Sequence, residues 1–299
     1  LLIPNVLAAH RARLLALDPV LAETRPLPEQ IEGDVLLSCS GGEGLVRTSH
    51  VDQDSFMASF TASREFRLIA RVDGPKALGE LLDQWQRLDG FRPGPDDTAM
   101  ITWPSRDTAM ARLFIERGFT PQVSLAVRKA GHPIAAKPTD AVVRRAVADD
   151  MEAVVALWME EARWDHQFNG SVLRASTERA IRDDARMIVE PDGLWCWVAE
   201  RDGDVVAIMV VQPPARAEWA ASAVPVSPAT YLTCGIVSSK SRGDGVGTTL
   251  VREVHDFLDE RGVALSLLHY AALNPLSVPF WSRCGYRPLT TAWARGTVG

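Results

Sequence analysis

Beyond residue 140 the apolar positions fall into short alternating blocks. Met151, Val154, Val155 and Trp158 recur at the spacing of one helical face, and Asp149 or Asp150 stands ahead of them as a cap. Trp195 to Ala199 predicts a strand, Asp202-Gly203 a hairpin turn, and Val205 to Val211 a buried strand rich in β-branched residues. Residues 213–227, rich in Pro, Ala and Ser, predict a long loop. Tyr231 to Val237 predicts the next strand. After a glycine-rich turn, Val246, Leu250, Val251, Val254 and Leu258 mark a helix that Gly262 ends. Val263 to Tyr270 predicts a strand, Pro275 to Cys284 a short helix and Thr290 to Ala294 a last strand. The class is α/β with an α+β mixed sheet: strands precede the glycine turn, and strand and helix alternate after it.

The first half closes in the same way. Residues 107–128 align without a gap on 274–295, at a constant offset of 167. Phe114 falls on Trp281, Gly118 on Gly285, Phe119 on Tyr286, Pro121 on Pro288 and Arg128 on Arg295. Upstream, Leu78, Leu81, Leu82, Trp85 and Leu88 form a helical stripe where the second half has the helix after its glycine turn. The shared offset favours duplication of one fold over two unrelated helix–glycine–aromatic–strand units. Between the halves, residues 129–140 carry Pro133, Pro138 and small residues, the composition of an extended connector. The expected organisation is a first domain over 1–130, a linker over 131–140 and a second domain over 141–299, whose first strand starts at Ala141 to Ala146.

Length agrees, since 299 residues at about 150 per domain give two. Hydrophobic residues at 46% and charged residues at 23% exclude a disordered chain, a collagen and a coiled coil. Lys plus Arg is 32 against 38 Asp plus Glu, with no basic stripe, so no nucleic-acid partner is expected. No apolar run reaches the about 20 residues that span a bilayer, so no membrane partner is expected. The start, Leu1-Leu2-Ile3-Pro4-Asn5, has no basic segment before an apolar one and predicts no secretory leader. Cys39, Cys196, Cys234 and Cys284 lie far apart, without zinc spacing. They read as reduced thiols of a cytoplasmic protein, and no metal is expected.

The densest chemical signal runs from Ile236 to Thr248, where a buried strand enters a glycine-rich turn that opens a helix. The first amides of a helix lack internal partners and carry partial positive charge, which makes a phosphate cradle. Glycines let backbone approach the phosphates, and Lys240 and Arg242 add charge at the mouth. A P-loop requires Lys after the last glycine, but Thr248-Thr249 follow Gly247. A dinucleotide fingerprint requires a third glycine where Leu250 stands.

What remains, Arg242-x-x-Gly245-x-Gly247 after a strand, resembles the acyl-CoA signature of the GNAT family of N-acetyltransferases. Downstream, Asn274, Ser277, Phe280, Trp281, Gly285 and Tyr286 resemble the family's second motif. The resemblance is strong over residues 141–299. It implies two tandem GNAT-like domains of the acyl-CoA N-acyltransferase fold, with acetyl-CoA as acyl donor and a primary amine as acceptor. It further implies that Ile236 and Val237 hold the pantetheine arm between splayed parallel strands. Amides of Arg242, Gly243, Asp244, Gly245, Val246, Gly247 and Thr248 take the pyrophosphate. Asn274 bonds backbone or donor near the splay, and Ser277, Phe280 and Trp281 belong to the same donor site. The first half has only Arg71-Val72-Asp73-Gly74-Pro75-Lys76 at the equivalent place, with one glycine and a proline that removes an amide. It is expected to be a degenerate copy that binds no CoA.

The chain departs from the family where acid and base are usually found. Trp281 stands where many members have an acidic Tyr, and Leu232, Thr233 and Cys234 offer no Glu. Substitute catalytic candidates are His269 and Tyr270 at a strand end, and Glu160 and Glu161, with Asp165 and His166, after the first helix of the second half. Trp158, Trp164 and Trp195 either line an acceptor pocket or fill the core, with Trp158 assigned to the core. Two readings stand: an N-acetyltransferase acting on a small-molecule or peptide amine, and a non-catalytic acyl-CoA-binding or regulatory protein. Monomer and homodimer are both open.

Overall fold

The computed structural model describes residues 4–88, 94 and 96–296, so Leu1–Ile3 of the leader reading lie outside it. The first half contains α1 (Pro4–Leu17), β1 (Val35–Cys39), β2 (Gly42–His50), β3 (Arg64–Val72), α2 (Pro75–Trp85), β4 (Asp97–Pro104), α3 (Thr108–Glu116) and β5 (Thr120–Lys129). The second contains β6 (Val142–Arg145), α4 (Met151–His166), α5 (Thr177–Arg186), β7 (Trp195–Arg201), β8 (Asp204–Gln212), α6 (Glu218–Ala221) and β9 (Ala229–Val237). It continues through α7 (Val246–Glu260), β10 (Leu265–Ala271), α8 (Ser277–Arg283) and β11 (Arg287–Arg295).

All these strands join one sheet in the order β1-β2-β3-β4-β11-β5-β10-β9-β8-β7-β6. The closing strand of each half is laid into the other half: β11 pairs with β4, and β5 pairs with β10. β5 and β11 meet antiparallel at the centre. There Ser124 pairs with Thr291, their hydroxyls 3.1 Å apart, and these are two residues that the 167-residue offset equates. Outward from this pair both sides repeat one succession: antiparallel, parallel, antiparallel, antiparallel. Gly118 and Gly285, equated by the same offset, both adopt positive φ, 76° and 88°, just after α3 and α8.

The apolar stripes seat where their periods direct. Leu78, Leu81, Leu82 and Trp85 of α2 are buried with Phe114 and Phe119 in the first-half core. Val246, Leu250, Val251, Val254 and Leu258 of α7 pack on one face of the second half. Val154, Val155 and Trp158 of α4 pack on the other, so Trp158 is core as expected.

Three expectations change. The 213–227 segment contains the short helix α6. Helix α4 continues through Glu160, Glu161, Asp165 and His166, because Met159 and Ala162 extend its buried face. The connector is pinned to the second half: Gly131 N–H donates to Asp259 at 3.0 Å, and Lys137 N–H to the Thr248 hydroxyl at 3.2 Å.

Candidate active site

β9 and β10 are parallel neighbours only from Ala229/Leu265 to Leu232/Leu268, and then they diverge. Divergence begins where β9 bulges. Val210 of β8 faces Cys234 and Val211 faces Leu232, which leaves Thr233 as an extra residue. A cavity of about 660 Å³ opens there and runs to the glycine turn.

At the turn, Gly243 and Gly245 hold φ of 93° and 80°, which a side-chain-bearing residue rarely adopts. The amides of Val246, Gly247 and Thr248, the first turn of α7, have no acceptor among the described residues. A Cβ on Gly247 would lie 3.2 Å from Phe280 and Val237, and one on Gly245 2.8 Å from the carbonyl oxygens of Lys137 and Pro138. The Thr249 hydroxyl donates to the Lys137 carbonyl at 3.3 Å, and Lys137 itself lines the cavity. An open cradle of free amides and a lysine suits the phosphates of an acyl-CoA.

Most of the expected donor residues line this one cavity: Ile236, Val237, Arg242, Gly243, Gly245, Gly247, Thr248, Ser277, Phe280 and Trp281. Three expected side chains turn elsewhere. Val246 is buried in the core under α7, and the Asp244 carboxylate faces Arg201 at 3.2 Å. Asn274 is buried and bonded throughout: its Oδ1 accepts the amides of Leu276 and Ser277 at 3.0 and 3.2 Å, and its Nδ2 donates to Asp165 at 2.6 Å. It therefore caps α8 and orients Asp165 rather than facing the cavity. The Arg242 Nε donates to the Val237 carbonyl at 3.1 Å, and its guanidinium lies 5.1 Å over the Trp164 ring. The Val237 oxygen thus keeps one lone pair for a ligand.

The acid–base candidates separate by the same test. Glu160 accepts the Ser239 amide at 2.9 Å and stands 3.7 Å from Arg242; it braces the turn and does not reach the cavity. Glu161 and Asp165, one helical turn apart on α4, both line the cavity and hydrogen-bond one another. Burial, then the neighbouring Asp165 charge, pushes the Glu161 carboxyl well above its ordinary range. Burial also raises Asp165, against the Asn274 hydrogen bond. Two like charges this close disfavour double ionisation, so the proton affinity of the pair is raised and one proton is shared more readily than by an isolated carboxyl.

His269 is exposed to the cavity it lines. Its Nδ1 is 2.9 Å from the Tyr231 hydroxyl, and desolvation by the surrounding wall lowers the imidazole to about 4. Tyr270 lines the cavity too, but it packs in the core with its hydroxyl toward Ser124, and burial raises it. Cys234 lines the cavity with its thiol pushed far up by burial, so it is no nucleophile. Trp164 lines the cavity, whereas Trp195 packs edge-on against Phe257.

Lys137 and the Thr233 bulge were not anticipated as site features. A lysine on a proline-rich connector reads as solvated, and a bulge leaves no pattern in one strand. Among the described residues, no cluster of His, Cys, Asp and Glu suits a metal, and no helix is long and apolar enough to cross a membrane.

The sheet and the splayed site define an acyl-CoA N-acyltransferase fold. Residues 152–286 match the profile of the acetyltransferase (GNAT) family. A search of curated proteins found no match. Similar solved structures include a GCN5-related N-acetyltransferase from Sphaerobacter thermophilus, at 16% identity and TM-score 0.49, covering 85% of this chain and 76% of that one. Another, from Kribbella flavida, shares 16% identity over 98% of this chain and 96% of that one, with TM-score 0.46. A functionally unknown conserved protein from Staphylococcus epidermidis shares 12% identity over 90% and 96%, with TM-score 0.48.

Proposed function

We propose that the protein binds acetyl-CoA between β9 and β10 and transfers the acetyl group to a primary amine, and that the two halves are copies of one fold of which only the second is active. The observation that carries this reading is the splay itself, which joins a cradle of free helix amides to a half-buried acid pair through one cavity. The donor supplies a thioester carbonyl for C–N bond formation and a thiol as leaving group. The amides of Val246, Gly247 and Thr248, with Lys137, hold its phosphates. Phe280 and Trp281 wall the channel.

The Glu161–Asp165 pair takes one proton from the incoming ammonium and releases a nucleophilic nitrogen beside the bulge. As the C–N bond forms and the C–S bond breaks, the second proton passes from nitrogen to sulfur, which balances an amide and a free thiol. Asn274 holds Asp165 in place for this step and does not touch the reactants.

A carrier reading, in which acyl-CoA binds without turnover, draws on Trp281, whose indole cannot serve as an acid. Calorimetry with acetyl-CoA and thiol release with a panel of amines separate the two. Transfer predicts one site per chain. It also predicts that kcat/KM rises with pH through an apparent value above the ordinary carboxyl range of about 4.3. Glu161→Gln lowers kcat/KM about 100-fold and removes that limb while donor affinity holds. Tight binding with no thiol release for any amine supports the carrier instead.

A further inference from the structure

The cavity is charged unequally along its length. Its cationic lining residues are Lys137, Arg242 and Arg283. Lys137 reaches in over the glycine turn, and the Arg242 guanidinium is occupied by the Val237 carbonyl, Glu160 and the face of Trp164. Arg283 ends α8, which walls the donor channel. Beyond the bulge the polar lining includes Glu161, Asp165, Thr233, the neutral His269 and Tyr270. Oε2 of Glu161 and Oγ1 of Thr233 are shielded from solvent and have no partner in the protein. Glu161 and Asp165 line the same cavity as Thr233 and Cys234 of the bulge.

The surface beside His269, which lines this end of the cavity, is aromatic and apolar. The Trp219 ring lies parallel to His269, 6.2 Å away with an interplanar angle of 11°, and packs 4.7 Å from Tyr231. It is nonetheless 54% exposed, and Leu276, which lines the cavity, is 46% exposed. Exposed apolar surface at the rim of an otherwise polar chamber is where the body of a ligand rests.

Resting on the transfer reading above, we infer that the acceptor is a primary amine on an aromatic or apolar body, with no carboxylate beside the amine. An ammonium entering the chamber meets one shared negative charge and the free Oε2 of Glu161. A carboxylate on the neighbouring carbon arrives at the same place, within a few ångströms of the acid pair. A carboxylate is ordinarily held by an arginine fork, but Arg242 is engaged and Arg283 stands at the end of α8 opposite the Asn274–Asp165 contact, away from the acid pair. Like charges brought together in a desolvated site repel, which selects against α-amino acids.

Three acceptors test this with the intact chain and acetyl-CoA: 2-phenylethylamine, L-phenylalanine and L-phenylalaninamide. The amide restores a substituent of the same size without its charge. The expected result is thiol release with 2-phenylethylamine and L-phenylalaninamide, and a kcat/KM for L-phenylalanine about 100-fold lower. Trp219→Ala, at an exposed position that leaves folding intact, raises KM for 2-phenylethylamine about fivefold and leaves KM for ethylamine and the donor affinity unchanged. Turnover of L-phenylalanine equal to that of the amine overturns the inference and leaves acyl transfer standing. Equal loss with L-phenylalanine and its amide makes size the barrier and also overturns it. Bound acetyl-CoA with no thiol release for any of the three, or for ethylamine, overturns both.

Discussion

Both halves open the same seam, and only one keeps it open. β3 and β4 are parallel neighbours from Arg64/Asp97 to Arg67/Met100 and then part, as β9 and β10 do. In the first half the gap is filled by α1. His10 of α1 is buried with its Nδ1 at 3.0 Å from the Val72 carbonyl and 3.2 Å from the Val72 amide, and its ring meets Trp103 edge-on at 5.7 Å. Val72 ends β3 as Val237 ends β9, so the helix occupies the backbone to which the second half gives a ligand access. The partner strand differs too. β2 follows β3 in unbroken register from Gly42 to His50, whereas β8 follows β9 across a bulge. The turns complete the contrast: Pro75 at the start of α2 has no amide to offer, and the Asp73 amide is already bonded to Gly41. A splay alone therefore does not make a site; it must also lack a plug and keep every amide of the helix's first turn.

The sharpest way to break this comparison is to add charge to one cradle and not to the other. Thr248→Asp places a carboxylate at the third position of α7, which suits the helix dipole and can still accept the Lys137 amide. The fold should hold, with an unchanged or slightly raised melting temperature. The carboxylate faces the phosphates, and Kd for acetyl-CoA should rise about 100-fold. Asp73→Asn, at the corresponding turn of the first half, should leave Kd unchanged. An unaltered Kd in Thr248→Asp, or a changed one in Asp73→Asn, would assign the donor to the wrong seam.

Removing the plug probes the other side. His10→Ala leaves a void against Trp103 and strands the Val72 amide, at a cost of about 2 kcal/mol by denaturant unfolding. The stoichiometry of acetyl-CoA should stay at one per chain, because opening the seam restores no amide at Pro75. A second site on unplugging would make α1 the sole difference between the halves. The same residue sets a pH dependence. Burial holds His10 down to about 4, below its unfolded 6.5. The folded state thus binds the proton less readily, and the stability owed to neutral His10 is complete above pH 6.5. It falls as pH drops from 6.5 toward 4 and is level below. His10→Gln should flatten that part of the stability–pH curve.

The parts of this architecture that the sequence displays are the local ones. The α7 stripe and the glycines at positive φ depend on residues near one another in the chain, and the 167-residue offset is a match of residue types that needs no knowledge of contacts. The plug is hidden because its buried face runs Val6, His10, Leu14, and a histidine interrupts the apolar spacing. The crossing of β5 and β11 into opposite halves is a long-range pairing with no local signature. Glu161 and Asp165 read as solvated charges at a helix end, because their burial depends on a shared proton and on Asn274, more than a hundred residues away. Glu160 shows the limit from the other direction: adjacent to Glu161 in sequence, it points around the helix to Ser239 and Arg242.

The smallest expected effect comes from the connector, and it asks whether the halves are coupled at the site or merely joined. Lys137 is held by its backbone, not by its ammonium group: its amide donates to Thr248 and its carbonyl accepts from Thr249. Lys137→Gln therefore leaves the clamp in place and removes only the charge over the cradle. An exposed charge pair contributes at most about 1 kcal/mol, so Kd for acetyl-CoA should rise about threefold, and the difference should shrink as salt is added. The melting temperature should not move. Thr249→Ala makes the complementary change, loosening the clamp while keeping the ammonium. If the connector acts by charge, only the lysine variant loses salt-dependent affinity. If it acts by holding the turn, the threonine variant loses affinity at every salt concentration and the lysine variant loses none.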